Sequence, residues 1–475
     1  MVALRSRLLA LFMLLGLLAA QGARAGSGIA DPGFAFVDVN GDGLYSAAEG
    51  DIGLDSTPSV DINALIQNGG VFNTQVSSGF YPAPAQAASL VIPASQTLFV
   101  PRFLLLQAGR HLIVHGKLTA PALFLQAGGN IDLTLSETDF ATFFGVCAGG
   151  DVALTGATAT GDYPLSHIGV LACGNIAAGT SEGQATAFLA GTGIVLAAAR
   201  AVHLDGASLL AIAPASAVTV SATDTVRATN GCTLLAGTIV GLSSRRGSVS
   251  ALGGSLSSDG ITLSAARNVS VTDSSLSAGD NITLWAGGQI TGNTPATALV
   301  ANSLYLDALS SADLRGAALL AYAGVLRLRV YTGGIDLTDA ILGASEGLSI
   351  RARRALYAAR AFLRADHAAD LASDAGAIYA PDSTLVPFSP DATDTLLTVT
   401  APGLIAANRA RWSVPARITV LSTASNVLAA SALLQATGSP GKIAISAMGG
   451  LIDATGAAFL GAVCFGPAGV TVLGP

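Results

Sequence analysis

Charge is what this chain has least of. Only 11% of its 475 residues are Asp, Glu, Lys or Arg, and Lys117 and Lys442 are the sole lysines. No basic stripe forms and the formal net charge is −7. That excludes nucleic acid and anionic membrane surfaces as expected partners. Aromatics make up 5% of the chain, which with 56 glycines would ordinarily suit a disordered segment. A hydrophobic content of 51% is too high for disorder and suits a core of small, regularly stacked side chains. None of the four cysteines (Cys147, Cys173, Cys232, Cys464) forms a CxxC pair, which argues against zinc. No HExxH or P-loop motif occurs. No helical pattern of 10–15 residues recurs either, which removes doubly wound folds, (β/α) barrels and helical solenoids.

Long apolar runs are also missing after the first residues. Arg5 and Arg7 precede an apolar run over 8–20, and Ala23-Arg24-Ala25 has the small-x-small pattern of a cleavage site. The expectation is a signal peptide over 1–25, export to the cell surface, the medium or the periplasm, and a mature chain without a membrane span. Loss of Arg5, Arg7 and Arg24 would move the net charge from −7 to about −10.

What the chain has in abundance is repetition. LLLQAGRHL (104–112) returns as LFLQAGGNI (123–131), VCAGGDV (146–152), VLACGNI (170–176), FLAGTGI (188–194) and LSAGDNI (276–282). A second signature reads apolar-x-(Asp/Gly)-(Ala/Ser)-x-(Leu/Ile)-x-(Ala/Gly), as in LDGASLLA (204–211), VTDSSLSA (271–278), LRGAALLA (314–321) and LTDAILGA (337–344). Triplets such as VTV (218), ITL (261), ITL (282), LYL (304) and LRL (326) keep a spacing of about 21 to 24 residues. Apolar and small polar residues alternate, which is strand periodicity, and Gly, Asn and Asp punctuate the strands where positive φ is tolerated. Units of about 21 residues holding two or three short strands predict an all-β parallel β-helix, or solenoid. Residues 88–375 would hold roughly thirteen coils, on the order of 60 Å of stack. The ends of such a stack are open strand edges, and poor caps would let molecules associate end to end.

The stretch GITLSAARNVSVTDSSLSAGDNITLWAGGQITG (260–292) resembles the repeats of filamentous-haemagglutinin-type bacterial surface proteins. The resemblance covers about 300 residues. It implies a right-handed parallel β-helix serving as an adhesin or exported fibre. The Asn-Pro-Asn secretion motifs of that family are absent here.

The one dense acidic cluster is FVDVNGDGLYSAAEGD (36–51). Asp38, Asn40, Asp42, Leu44 (through its carbonyl), Ser46 and Glu49 fall at the ligand positions of a twelve-residue EF-hand loop, with Gly43 at the sharp turn. Hard oxygen donors without Cys or His predict calcium in a structural role. Two features depart from the pattern. Tyr45 stands where an aliphatic residue is usual, and Pro32-Gly33, Gly50 and Gly53 make poor flanking helices. The loop is of an isolated, dockerin-like kind, with a weak Kd of ~10⁻⁴ to 10⁻³ M expected for an extracellular module.

The expected organisation is a signal peptide (1–25), a calcium-loop segment (26–76), a linker (77–89), a β-helix (90–380), a Pro-rich interruption (381–395), and less regular coils with a cap (396–475). VDINALIQNGG (60–70) reads as a short helix inside the second of these. Cys147 and Cys173 lie about one repeat apart and form the candidate disulfide, with free thiols as the alternative. His111 and His115 read as surface residues on one strand face, too far apart to share a metal. The arginines of RARRALYAARAFLR (351–364) read as an exposed strand face without facing acids. No paired carboxylates of the kind a glycan-cleaving enzyme needs stand out. The expectation is a structural or adhesive protein, not an enzyme, that associates with itself or with cell-envelope or extracellular glycans. The alternative is a polysaccharide-binding or polysaccharide-cleaving β-helix.

Overall fold

The computed structural model describes residues 36–38, 45–49, 51–53, 71–73, 89–99, 103–162, 164–387, 394–438, 441–466 and 472–473. The proposed signal peptide, the 60–70 helix and nearly all of the linker lie outside these residues. The described chain is about 60% strand without an α-helix, and its strands stack in parallel as a β-solenoid of about 17 turns. No helix among the described residues is long and apolar enough to cross a membrane. Two compact units divide the chain, one of residues 1–161 and 177–188, the other of 162–176 and 189–475.

In the second unit each coil has three faces. The long face carries six-residue strands, such as Ala217–Ala222, Ile239–Ser244 and Val325–Val330. A short face follows, as in Thr225–Thr229 and Ile335–Asp336, and then a third face, as in Thr233–Leu235 and Ile341–Ala344. Each strand pairs in parallel with its copy one coil on. Ala217 faces Ile239, Ile239 faces Gly260, Gly260 faces Asn281 and Asn281 faces Ser303, a step of 21 or 22 residues. The triplets counted in the sequence are the inward positions of this long face. Val218, Val240, Ile261, Ile282, Leu304 and Leu326 form one buried column, and Val220, Leu242, Leu263, Leu284, Leu306 and Leu328 another. Alternation of buried and open residues thus builds a dry interior, each fully buried Leu or Ile contributing roughly 1.5–3 kcal/mol.

The second signature is the corner between the short and third faces. Its Asp/Gly position has positive φ at Gly206, Asp273, Gly316 and Asp339. The residue after it donates back across a β-turn, as Ala340 N–H does to Leu337 O at 3.0 Å. The same left-handed position falls to Arg360, Asp382, Arg409 and Ser431 in later coils. The other repeated turn mixes two corners. Ala108, Ala127, Ala148 and Ala172 close long-face strands, whereas Ala190 closes a third-face strand and Ala278 ends the third-face part of Ser275–Ala286, just before the long-face part begins. Both corners need a small inward residue followed by a tight turn, so the sequence shows one motif where the fold has two.

Asparagine at the long-face corner ties coils together. Asn268 Oδ1 accepts the N–H of Gln289 at 2.9 Å, and Asn426 Oδ1 that of Leu451 at 2.8 Å. Glycines must follow there, because a Cβ on Gly288 or Gly450 would sit 2.4 or 2.1 Å from those oxygens. The coils continue through the Pro-rich stretch. Asp382 fills a corner and Thr384–Val386 joins the third face, so the added residues fall after it, between Val386 and Leu396.

The first unit has the same three faces. Leu104, Leu123 and Phe144 form a buried long-face column. Strand Phe36–Asp38 runs antiparallel to Ser89–Ile92, which pairs in parallel with Leu112–Val114 on its other side. The first short-face edge is thereby covered by a strand of opposite direction.

Candidate functional site

The acidic loop hangs from that covering strand. Phe36 and Val37 pair antiparallel with Gly53 and Ile52, so the flanks of the loop are strands and the segment is a hairpin instead of a helix–loop–helix. Glycine and proline in both flanks disfavour helices, and Phe36-Val37-Asp38 gains a ladder along Ser89–Ile92. Asp38 is 1% exposed at the end of its strand. On the far side Ser46 O accepts from Glu49 N and Asp51 N, and Ser46 N donates to Asp51 Oδ2 at 2.8 Å. Glu49 is exposed in the three-residue 3-10 turn Ala47–Glu49. Tyr45, the departure from the loop pattern, lies edge-on to Phe36 with ring centroids 5.5 Å apart. Asn40, Asp42 and Leu44 lie outside the described residues. Among the described residues no three His, Cys, Asp or Glu side chains converge as a metal site.

The histidines differ from the sequence reading. His115 is 8% exposed and its Nε2 lies 3.4 Å from Asp132 Oδ2. The strand Leu112–Val114 ends before it, so strand alternation does not carry to 115. Burial pushes the Asp132 carboxyl up, but hydrogen bonds from His115 and Thr134 outweigh it and hold it below the usual range. His111 stays half-exposed and its Nδ1 accepts Asn130 N–H at 3.0 Å. Burial and Arg110 lower its pKa against the pull of Asp38. All four cysteines are free thiols, Cys147 half-buried and Cys173 exposed. Burial, with Asp205 adding, pushes the Cys232 thiol up to about 12.

Side chains outside the columns gather in a few coils of the second unit. Apart from Phe465 in the last long-face strand, its exposed aromatics among the described residues are Trp285, Tyr322, Tyr331, Tyr357 and Phe362. On the long face Arg327 donates to Asp307 Oδ2 at 2.7 Å and lies 5.5 Å from the Tyr305 ring centroid. Arg329 lies over Tyr331 at 4.7 Å, and Arg351 donates to Asp374 at 2.8 Å. Two of the arginines of 351–364 therefore do face acids: Arg351 meets Asp374 and Arg360 meets Asp339, 23 and 21 residues away and invisible as neighbours in the sequence. Half-burial raises the Asp370 carboxyl pKa, with Arg351 partly opposing. In the first unit Lys117 bridges Asp139 at 2.7 Å and Glu137 at 3.8 Å, a partly exposed cluster.

Fold and surface define the class: a parallel β-solenoid with a dry core and outward ion-pair ladders. No family model, curated protein or solved structure matches the chain. The haemagglutinin-type and EF-hand-type resemblances rest on their own residues.

Proposed function

We propose that the protein is an exported structural solenoid that assembles with itself through its C-terminal coil, in the manner of an adhesin or fibre subunit. One observation carries this reading. In the strand Ala462–Gly466, Val463 and Phe465 continue the inward columns of Ile443 and Ile445. Those two isoleucines are 1% exposed, whereas Val463 and Phe465 are each 37% exposed. Leu460 beside them is 53% exposed. Core positions stand open there, and no further long-face strand follows among the described residues. An open edge with apolar inward residues is a template for another strand. The covering strand Phe36–Asp38, by contrast, has no such open apolar row.

The acidic loop fits a structural calcium ion held by Asp38, Asn40, Asp42, Leu44, Ser46 and Glu49, which would brace the covering hairpin. Export fits the N-terminal pattern of residues 1–25. Sedimentation velocity over a concentration series tests the assembly. Wild type should show species that grow with concentration, and Val463→Lys/Phe465→Lys should remain monomeric. A wild type that stays monomeric throughout overturns the reading.

A further inference from the structure

Arginine and exposed aromatic residues coincide on the outer side of the long face. Trp285 is 48% exposed and Tyr331 44% exposed. Register puts Trp285, Asp307, Arg329 and Arg351 in one outward column on successive coils. Trp285 and Arg329 are therefore two rungs apart, about 10 Å at the usual strand spacing. An extended disaccharide spans that distance. The guanidinium of Arg329 is pre-positioned on Tyr331 and has no carboxylate partner among the described residues. Arg353, one coil beyond Tyr331 at the same corner, is exposed and likewise without one. Arg327 and Arg351 have partners in Asp307 and Asp374. Arg329 and Arg353 thus leave two guanidinium groups without an ion-pair partner among the described residues, on the side of the coils that also carries an open indole. Guanidinium matches a carboxylate bidentately, and an indole face takes the C–H face of a sugar ring.

We infer that this side of the long face binds a linear acidic polysaccharide, whose uronate carboxylates meet Arg329 and Arg353 while a sugar ring lies on Trp285. The solvent-facing side of the coils does this work, so the inference is independent of assembly through the terminal coil. Holding Arg329 on Tyr331 lowers the ordering cost of binding.

The test is titration of the full chain with polygalacturonate, with the same polymer after reduction of its carboxyls, and with a neutral glucan of equal length. Polygalacturonate should bind, and the other two should bind at least about tenfold more weakly. Arg329→Ala and Trp285→Ala should each weaken polygalacturonate binding about tenfold at unchanged melting temperature. Arg227→Ala, on the short face, should leave it unchanged and serves as the control for nonspecific charge. Absence of binding by the wild type overturns the proposal. Equal binding of the reduced polymer also overturns it, as does an equal loss on Arg227→Ala.

Discussion

Arg360 grips Asp339 of the preceding coil with both arms, Nε to Oδ1 and Nη2 to Oδ2 at 2.6 Å each, and both residues occupy the left-handed corner, with φ of 55° and 62°. Arg409 repeats the grip on Asp382 at 2.6 and 2.7 Å. The corner is thus a column of Asp, Arg, Asp and Arg on four successive coils, in positions that Gly would fill without steric cost.

That ladder gives the solenoid an acid limit. The hydrogen bonds from Arg360 and Arg409 hold Asp339 and Asp382 below the usual carboxylate range. A depressed folded value means the stabilisation is present above the unfolded value of ~3.9 and is lost as pH falls through the folded one. Melting temperature should therefore drop more steeply below about pH 4 in the wild type than in Asp339→Asn/Asp382→Asn. Parallel profiles would contradict the ladder's role.

Asp370 has the opposite sign. Half-burial raises its pKa, so the ionised form costs the fold stability at pH values above the raised one. Asp370→Asn should raise the melting temperature at pH 7. The gain should vanish as pH falls through the raised carboxyl value towards the ordinary one. A variant less stable than wild type at pH 7 would show that Arg351 outweighs burial.

Packing and corner strain can be separated in two variants. Trp412 takes the place of leucine in the third-face column, is 1% exposed, and donates Nε1–H to Ser383 Oγ at 3.0 Å. Trp412→Ala should cost about 3–5 kcal/mol. Ser431 sits at φ 56° and keeps only backbone partners there, so Ser431→Gly should stabilise by up to about 1 kcal/mol. Denaturant melts with equal slopes check both.

Calcium should raise the melting temperature of the hairpin-bearing first unit, and chelator should reverse it. Asp38→Ala/Asp42→Ala should abolish the rise. A rise that survives the double variant would place calcium elsewhere, and no rise at all would leave the cluster a polar turn.

Much of the fold was legible because a solenoid writes its period into the chain. Ile261, Ile282, Leu304 and Leu326 show it directly, and Asp273 and Asp339 mark the corner through their tolerance of positive φ. Arg360 and Arg409 hold that same corner, but nothing local distinguishes an arginine there from one on a strand. His115 was misread because the end of a three-residue strand is not visible in alternation. The outward cluster of Trp285, Arg329 and Arg351 was hidden for another reason. Its members are 22 or more residues apart and meet only if every coil length is known, since a slip of one residue turns a side chain inward.

The most direct test of the assembly reading is amide hydrogen exchange on Ala462–Gly466 at low and high protein concentration. Amides on the open edge should exchange fast when dilute and be strongly protected when concentrated, with Ile443 and Ile445 protected in both. Exchange in 462–466 that does not change with concentration would contradict it.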